Sequence, residues 1–274
     1  MGSSERSDSS SGGGPAEVIG EDQIPEEVKP KEISARDAAN WAKEISTLEV
    51  SEVPAGAINR NVSGRRVTSP IQGFGKMWQK TYRVDVTACG QKPAQIVEHW
   101  KTNFARYWPE RNFFYGPLTG IAPGEVAVLN LTMPGRLKLS TGVLVLYADE
   151  ESFTLMTPEG HMFAGWITFS ALEENGATLA QAQVLMRASD PIYELGLGLG
   201  GHAKEDRFWE HTMSSLATDL GVDSPQVTTQ SVCVDKKRQW SRATNISKNS
   251  AMRSGAYALG APFRLLKGER PPKG

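Results

Sequence analysis

The chain of 274 residues contains few of the residues that build metal, redox and membrane sites. It has two cysteines, Cys89 and Cys233, and four histidines, and none of these six stands at a spacing typical of zinc ligands. No stretch approaches the roughly 18 consecutive apolar residues of a transmembrane helix, and no apolar signal-peptide core follows Met1. We therefore expect no metal, no cofactor and no membrane span, and a cytoplasmic protein with reduced thiols.

The chain also lacks an excess of charge of either sign, because its formal net charge is −1. That balance predicts no strong attraction to nucleic acid, and the basic run Lys236-Lys237-Arg238 has no accompanying reader motif. The two ends nevertheless differ: residues 1–32 carry eight acidic residues against three basic ones, whereas residues 235–274 carry ten basic residues against two acidic ones. Such ends are typical of solvated tails and also of arms that dock a protein partner, and the sequence leaves both open.

Composition divides the chain into four segments. Residues 1–33 are rich in Ser, Gly, Pro and Glu and are predicted to be disordered. A short helix starting at Ser34, followed by a linker rich in Pro and Gly, occupies 34–75. Alternating strand patterns and amphipathic helices fill 76–222, which we predict to be the main domain. The basic segment 223–274 has little periodicity and is predicted to lie over that domain as an extension.

The periodicity of the main domain predicts an α+β fold. A strand over Trp78–Ala88 alternates apolar and polar residues, and a helix over Pro93–Trp108 has a wide apolar stripe. A closing helix over Glu205–Leu220 is also amphipathic. Five short strands with tight turns lie between the helices, and they are predicted at Glu125–Met133, Leu139–Ala148, Ser152–Thr157, His161–Leu172 and Ala177–Ala188. We expect a curved antiparallel sheet of about six strands packed on the long C-terminal helix.

The glycine patterns and the absence of a serine-nucleophile motif give little support for catalysis. The stretch Leu195–His202 reads G-x-G-x-G-G and lacks both the dinucleotide and the P-loop patterns, so it predicts a hinge or a close packing point. Gly142 and Gly165 fall inside strands, where glycine is typical of a bulge or bend. Such curvature makes a cavity geometrically possible. No G-x-S-x-G turn is present for a serine nucleophile.

In this order the elements resemble the SRPBCC superfamily, the START/Bet v 1-like and polyketide cyclase-type proteins. The resemblance covers residues 76–222, and the segment MTPEGHMFAGWITF is similar to the Gly-His turn of the DUF1990 subset. The chain departs from the family in having one long helix after the first strand, followed by the interruption Pro109–Pro123. The resemblance implies a helix-grip fold with a hydrophobic cavity between the last helix and the sheet. Family members bind lipids, sterols, polyketides or plant metabolites, and some catalyse cyclisation or hydrolysis.

These observations predict a protein that binds a hydrophobic small molecule, such as a lipid or polyketide, in that cavity. Aromatic and methionine side chains suit such a pocket, although plain core packing is the favoured explanation for any one of them. The predicted ligand-binding residues are Trp100, Tyr147, Met156, His161, Trp166, Met186 and Trp209. The alternative is a cyclase- or hydrolase-like enzyme that uses His161, Glu159 or Tyr147 as acid–base groups. His161 also suits a simpler role, in which a turn histidine bonds to the backbone.

Overall fold

The computed structural model describes residues 35–50, 55–117, 119–133 and 138–259. The segment 1–33, predicted to be disordered, lies outside them, and the described residues from Arg36 onward belong to one compact unit. The helices are α1 Ala35–Ala39, α2 Pro93–Asn103, α3 Pro191–Gly196, α4 His202–Asp219 and α5 Ser250–Leu259. The strands are β1 Met77–Asp85, β2 Phe113–Tyr115, β3 Val126–Thr132, β4 Lys138–Ala148, β5 Ser152–Met156, β6 Phe163–Glu174, β7 Ala177–Ala188 and β8 Val227–Asp235.

The strands form one antiparallel sheet in the order β2-β3-β4-β5-β6-β7-β1-β8. The long helix α4 packs against β1, β7 and β8, so the predicted α+β helix-grip fold is confirmed. Within the described residues the sheet has eight strands rather than about six. The short β2 and the edge strand β8 are the additions, and β8 lies in the segment 223–274 that we had expected only to lie over the domain. It pairs with β1 from Val84 to Met77, so it extends the sheet itself.

The main core lies between the inner face of the sheet and helices α2 and α4. Every residue of the apolar stripe predicted for the first long helix is buried there, and these residues are Ile96, Val97, Trp100, Phe104, Tyr107 and Trp108. The helix itself ends at Asn103 and continues as a 3-10 turn over Phe104–Tyr107. The prediction of that stripe is therefore confirmed.

A smaller core covers the opposite, outer face of the sheet. Leu48 and Val62, from the connection before β1, pack there with Val128 and Leu144. Helix α1 ends at Ala39 because the backbone then joins the sheet. The N–H of Ala42 donates to Leu146 O at 2.8 Å, which replaces a helical hydrogen bond. Helix α5 also packs on β4.

Gly165 and Gly142 allow a neighbouring strand to approach closely and do not mark a bulge. The register of β6 with β7 runs unbroken through Gly165, and that of β3 with β4 runs unbroken through Gly142. Gly165 has φ of 154°, and a Cβ there would lie 2.1 Å from Leu185 O. A Cβ on Gly142 would lie 2.6 Å from Ala127 O. Neither position has room for a side chain. Among the described residues, none of the helices is both long and apolar enough to cross a membrane.

Candidate functional site

Aromatic rings line the interior between the sheet and the two long helices. Phe104 lies at its centre, with its ring 4.9 Å from that of Phe169 and 5.4 Å from that of Phe153. Trp100 packs edge-on against Phe169 at 5.1 Å, and Trp209 of α4 reaches the same ring at 5.6 Å. Edge-to-face contacts of this kind are favourable because the positive edge of one ring meets the negative face of another. The interior is thus apolar and densely aromatic.

Two indole N–H groups in this interior lack an acceptor. Nε1 of Trp100 and Nε1 of Trp108 are both buried, and no hydrogen-bond partner for either lies among the described residues. Trp100 is 0% exposed and Trp108 is 9% exposed. A buried donor without a partner costs about 1–3 kcal/mol, and buried tryptophans usually find one. The interior therefore offers two unused hydrogen-bond donors.

The C-terminal end of α4 is tied to the end of α2. Tyr107 Oη donates to Asp219 Oδ2 at 2.7 Å, and His99 Nε2 lies 2.8 Å from the same oxygen. The hydrogen bond from Tyr107, followed by that from His99, lowers the pKa of Asp219 below its ordinary value. This end of the closing helix is held in place.

The opposite end of α4 contains a group of polar side chains that we call the Lys80 cluster: Lys80, Tyr82, His202, Glu205 and Asp206. Lys80 Nζ donates to Glu205 Oε2 at 2.8 Å and to Asp206 Oδ1 at 2.7 Å. Tyr82 Oη also donates to Asp206 Oδ1, at 2.8 Å. Lys80 is 1% exposed, so a full positive charge is buried between two carboxylates.

Two atoms of the Lys80 cluster have unused hydrogen-bonding capacity. Glu205 Oε1 and His202 Nδ1 are buried, and the described part of the chain supplies no hydrogen bond to either. His202 Nδ1 lies 3.9 Å from Glu205 Oε2, too far for a hydrogen bond. Burial, together with the negative charge of Glu205, raises the pKa of Tyr82 far above its ordinary value. Tyr82 is thus a neutral donor at any physiological pH.

Helix α4 starts from the glycine-rich segment that we had interpreted as a hinge or packing point. Residues Leu197–Gly201 form one π-helical turn that contains a kink, and Gly200 has φ of 100°. Leu199 on this turn is 78% exposed. A positive φ and few side chains at this point are typical of a backbone that changes direction easily.

The predicted ligand-binding residues divide between the two faces of the sheet. Trp100, Met186 and Trp209 belong to the interior or pack against it. Met156 is paired with Leu144 and Trp166, and Leu144 lies in the outer core, so Met156 and Trp166 point to the outer face.

Tyr147 also points to the outer face, where its ring packs 4.8 Å from that of Trp41. It is paired with Thr154, whose hydroxyl hydrogen-bonds Thr168 on the same face. The Tyr147 hydroxyl donates to Asp149, which raises the tyrosine pKa to about 12. The sheet therefore separates this residue from the aromatic interior.

His161 and Glu159 are held by their own neighbours. His161 is buried in the turn before β6, where its Nδ1 accepts from the N–H of Phe163 at 3.0 Å. Burial lowers the pKa of His161 to about 4, so the ring is neutral near pH 7. Glu159 accepts from Arg66 and from Lys248, each at 2.7 Å. His161 therefore has the geometry of a turn histidine that hydrogen-bonds the backbone, which is the simpler of the two roles considered for it.

The sequence contains one signal for the Lys80 cluster, a lysine at an apolar position of β1. Trp78, Tyr82 and Val84 alternate as inward-facing residues of β1, and Lys80 occupies the inward position between them. A lysine in the apolar phase of a strand requires a buried partner, because an unpaired charge there is costly. Its partners, Glu205 and Asp206, lie more than 120 residues away along the chain.

Two surface clefts of about 400 Å³ each lie away from the interior. One is lined by Arg111, Phe113, Thr132 and Lys138 near the β2 edge. The other is polar, lies over strands β7, β1 and β8, and is lined by Gln79, Thr81, Arg83, Gln183, Thr228, Thr229 and Gln230. Within the described residues, no group of three or more His, Cys, Asp or Glu side chains is arranged to hold a metal ion.

Comparison with known proteins identifies neighbours by structure and not by sequence. No family model and no curated protein matches this chain. A START superfamily protein from Mycobacterium smegmatis is 18% identical over 54% of this chain and 98% of that chain, with a TM-score of 0.36. Ara h 8.0201 is 9% identical over 54% of this chain and 99% of that chain, with a TM-score of 0.39.

The di-domain ARO/CYC StfQ from the steffimycin biosynthetic pathway is a third neighbour, 10% identical over 54% of this chain and 53% of that chain, with a TM-score of 0.38. The identities and TM-scores are low, so we transfer neither ligand nor activity from these proteins. The chain's structural neighbours thus include proteins of the START and polyketide-cyclase types named by the sequence resemblance.

Proposed function

We propose that this protein binds a hydrophobic small molecule between the inner face of the sheet and helix α4. The single observation that supports this proposal is the pair of buried indole N–H groups of Trp100 and Trp108, for which the described residues supply no acceptor in a largely apolar interior. Ligand sites of this class combine apolar walls with a few well-placed polar groups. The ligand is an apolar molecule with a hydrogen-bond acceptor, such as a carbonyl oxygen.

Binding in this interior requires α4 to move, because aromatic rings now occupy the space. Phe208 and Trp209 of α4 pack against Trp108 and Phe169 at 5.1 and 5.6 Å between ring centroids. Both ends of α4 are tied: the C-terminal end through Asp219, and the first turn through the contacts of Lys80 and Tyr82 with Glu205 and Asp206. We therefore assign the opening to the middle of α4, where the rings of Phe208 and Trp209 must turn aside.

Calorimetric titration with 2-acetonaphthone, an apolar molecule with one carbonyl acceptor, tests the proposal. We expect saturable binding with a negative heat-capacity change, the robust mark of apolar burial. Trp108→Phe keeps a ring but removes the N–H, and it should weaken binding about 5- to 10-fold, as expected for one hydrogen bond of roughly 1 kcal/mol. Trp41→Phe on the outer face is the matched control and should bind as the unaltered protein does.

Two results would count against the proposal. The first is the absence of saturable binding by the unaltered protein. The second is equal affinity of the unaltered protein and both Trp100→Phe and Trp108→Phe, which would place the probe outside the interior. Circular dichroism of each variant confirms that a loss of affinity does not come from unfolding.

A further inference from the structure

We propose that the Lys80 cluster is the part of this site that binds a hydroxyl group of the ligand. The inference rests on the proposed function, because it assigns a second polar contact to the same molecule. It concerns the end of the interior opposite Asp219, where β1 meets the first turn of α4.

The unused atoms in the cluster match a hydroxyl group in number and kind. Glu205 is 5% exposed at its side chain, and its Oε1 can only accept a hydrogen bond while the carboxylate is ionised. His202 Nδ1 can donate in one tautomer. His202 Nδ1 lies 3.9 Å from Oε2, the other oxygen of the Glu205 carboxylate, so a hydroxyl placed between the imidazole and the carboxylate lies near both unused atoms. One hydroxyl could therefore accept from His202 and donate to the Glu205 carboxylate.

Other polar groups fit this position less well. A carboxylate or phosphate on the ligand would be repelled by Glu205 and Asp206. An ether or ketone oxygen can only accept, so it leaves the buried carboxylate oxygen without a donor. An ammonium group would lie next to Lys80 Nζ, which is already 2.8 Å from Glu205 Oε2. A neutral group that both donates and accepts satisfies both unused atoms.

The cluster borders the aromatic interior, so one ligand can reach both. Tyr82 is itself a member of the interior core, and Trp78 packs against that core. The Trp78 ring lies 4.7 Å from the His202 ring and holds the imidazole beside Glu205. His202 is 27% exposed at its side chain and directly follows the glycine-rich turn, so the site lies between the aromatic interior and solvent.

Calorimetric titrations with 2-naphthol and 2-methoxynaphthalene test the inference. The two probes share the same rings, but only 2-naphthol can donate a hydrogen bond. We expect the unaltered protein to bind 2-naphthol at least tenfold more tightly. In Glu205→Gln, the amide oxygen still accepts from Lys80, and the amide N–H faces the site. That N–H can donate to the oxygen of either probe, so the ratio of the two affinities should fall below threefold.

His202→Phe supplies the second variant, because it keeps a ring against Trp78 and removes the nitrogen. It should weaken both probes about 5-fold, because both probe oxygens accept from His202 and one hydrogen bond contributes roughly 1 kcal/mol. It also keeps the inference testable if Glu205→Gln does not fold. His211→Phe, at an exposed position of the same helix, is the matched control and should leave the tenfold preference unchanged.

The outcomes separate the inference from the proposed function. Equal affinity of the two naphthalenes for the unaltered protein, a preference that survives Glu205→Gln, or affinities for both probes that His202→Phe leaves unchanged, overturns the hydroxyl site. If 2-acetonaphthone still binds in a manner sensitive to Trp108→Phe, the proposed function stands without it. If none of the three probes binds, the proposed function fails and the hydroxyl site with it.

Discussion

Replacing Lys80 with methionine should destabilise the fold more than any change to its acidic partners. The methionine fills much of the same volume, so the main change is the loss of a buried positive charge. Lys80 Nζ contacts Glu205 at 2.8 Å and Asp206 at 2.7 Å, and the Glu205 side chain is 5% exposed. Without the lysine, both carboxylates lose their cation, and one of them remains buried.

The expected magnitudes follow from this asymmetry. Removing one partner of a buried ion pair costs roughly 3–5 kcal/mol of unfolding free energy, because the remaining charge is uncompensated. Glu205→Gln leaves Lys80 paired with Asp206 and keeps an acceptor for it, so we expect a smaller loss of about 1–3 kcal/mol. The double variant should cost less than the sum of the two, since the variants remove the same contact.

Urea unfolding monitored by circular dichroism measures these differences. Arg83→Met on the same strand is the matched control, because its ion pair with Glu174 lies on the outer face and both side chains are more than a third exposed. Such a surface pair contributes about 0–1 kcal/mol. The reasoning is refuted if Lys80→Met costs no more than Arg83→Met, if Glu205→Gln costs more than Lys80→Met, or if the double variant is simply additive.

Two further predictions concern His161 and Gly165. Burial lowers the folded-state pKa of His161 to about 4, from an ordinary 6.5. The unfolded chain therefore takes up the proton first as the pH falls. Between about pH 6.5 and pH 4, this group lowers the unfolding free energy by roughly 3 kcal/mol. His161→Gln should lack that component in chemical unfolding measured across this range; parallel pH profiles for the two proteins would contradict the assignment. Gly165→Ala places a Cβ 2.1 Å from Leu185 O, so it should cost at least about 3 kcal/mol of unfolding free energy or prevent folding. Gly176→Ala, in the open β6–β7 turn, should cost only about 1 kcal/mol. Equal thermal midpoints for the two variants would contradict this prediction.

Elements with one buried face were predictable from the sequence because their periodicity is local. The alternation on β1 and the stripe of α2 each record which side chains leave water, and the structure buries those residues. Strand β8 gave no such signal, since most of its side chains are exposed on both faces. It forms because its backbone pairs with the edge of β1, about 150 residues earlier in the chain.

The face of the sheet on which each predicted pocket residue lies depends on the strand register, which cannot be read from the sequence. Val143 and Val145 face the interior, and simple alternation would place Tyr147 there too. The register of β4 with β5 shifts between Val145 and Tyr147, so Ala148 faces inward and Tyr147 packs on Trp41 outside. An irregularity of this kind reverses the phase of a strand.

The sequence by itself determined the order of the elements, the antiparallel sheet and the closing helix, because periodicity, turn residues and helix-ending residues act over a few neighbours. Tertiary structure alone decided which side chains share the interior, that the outer face is also covered, and that Lys80 meets Glu205 and Asp206. These features arise from contacts between residues far apart in the chain, and their free energy is gained only once the sheet and α4 are packed together.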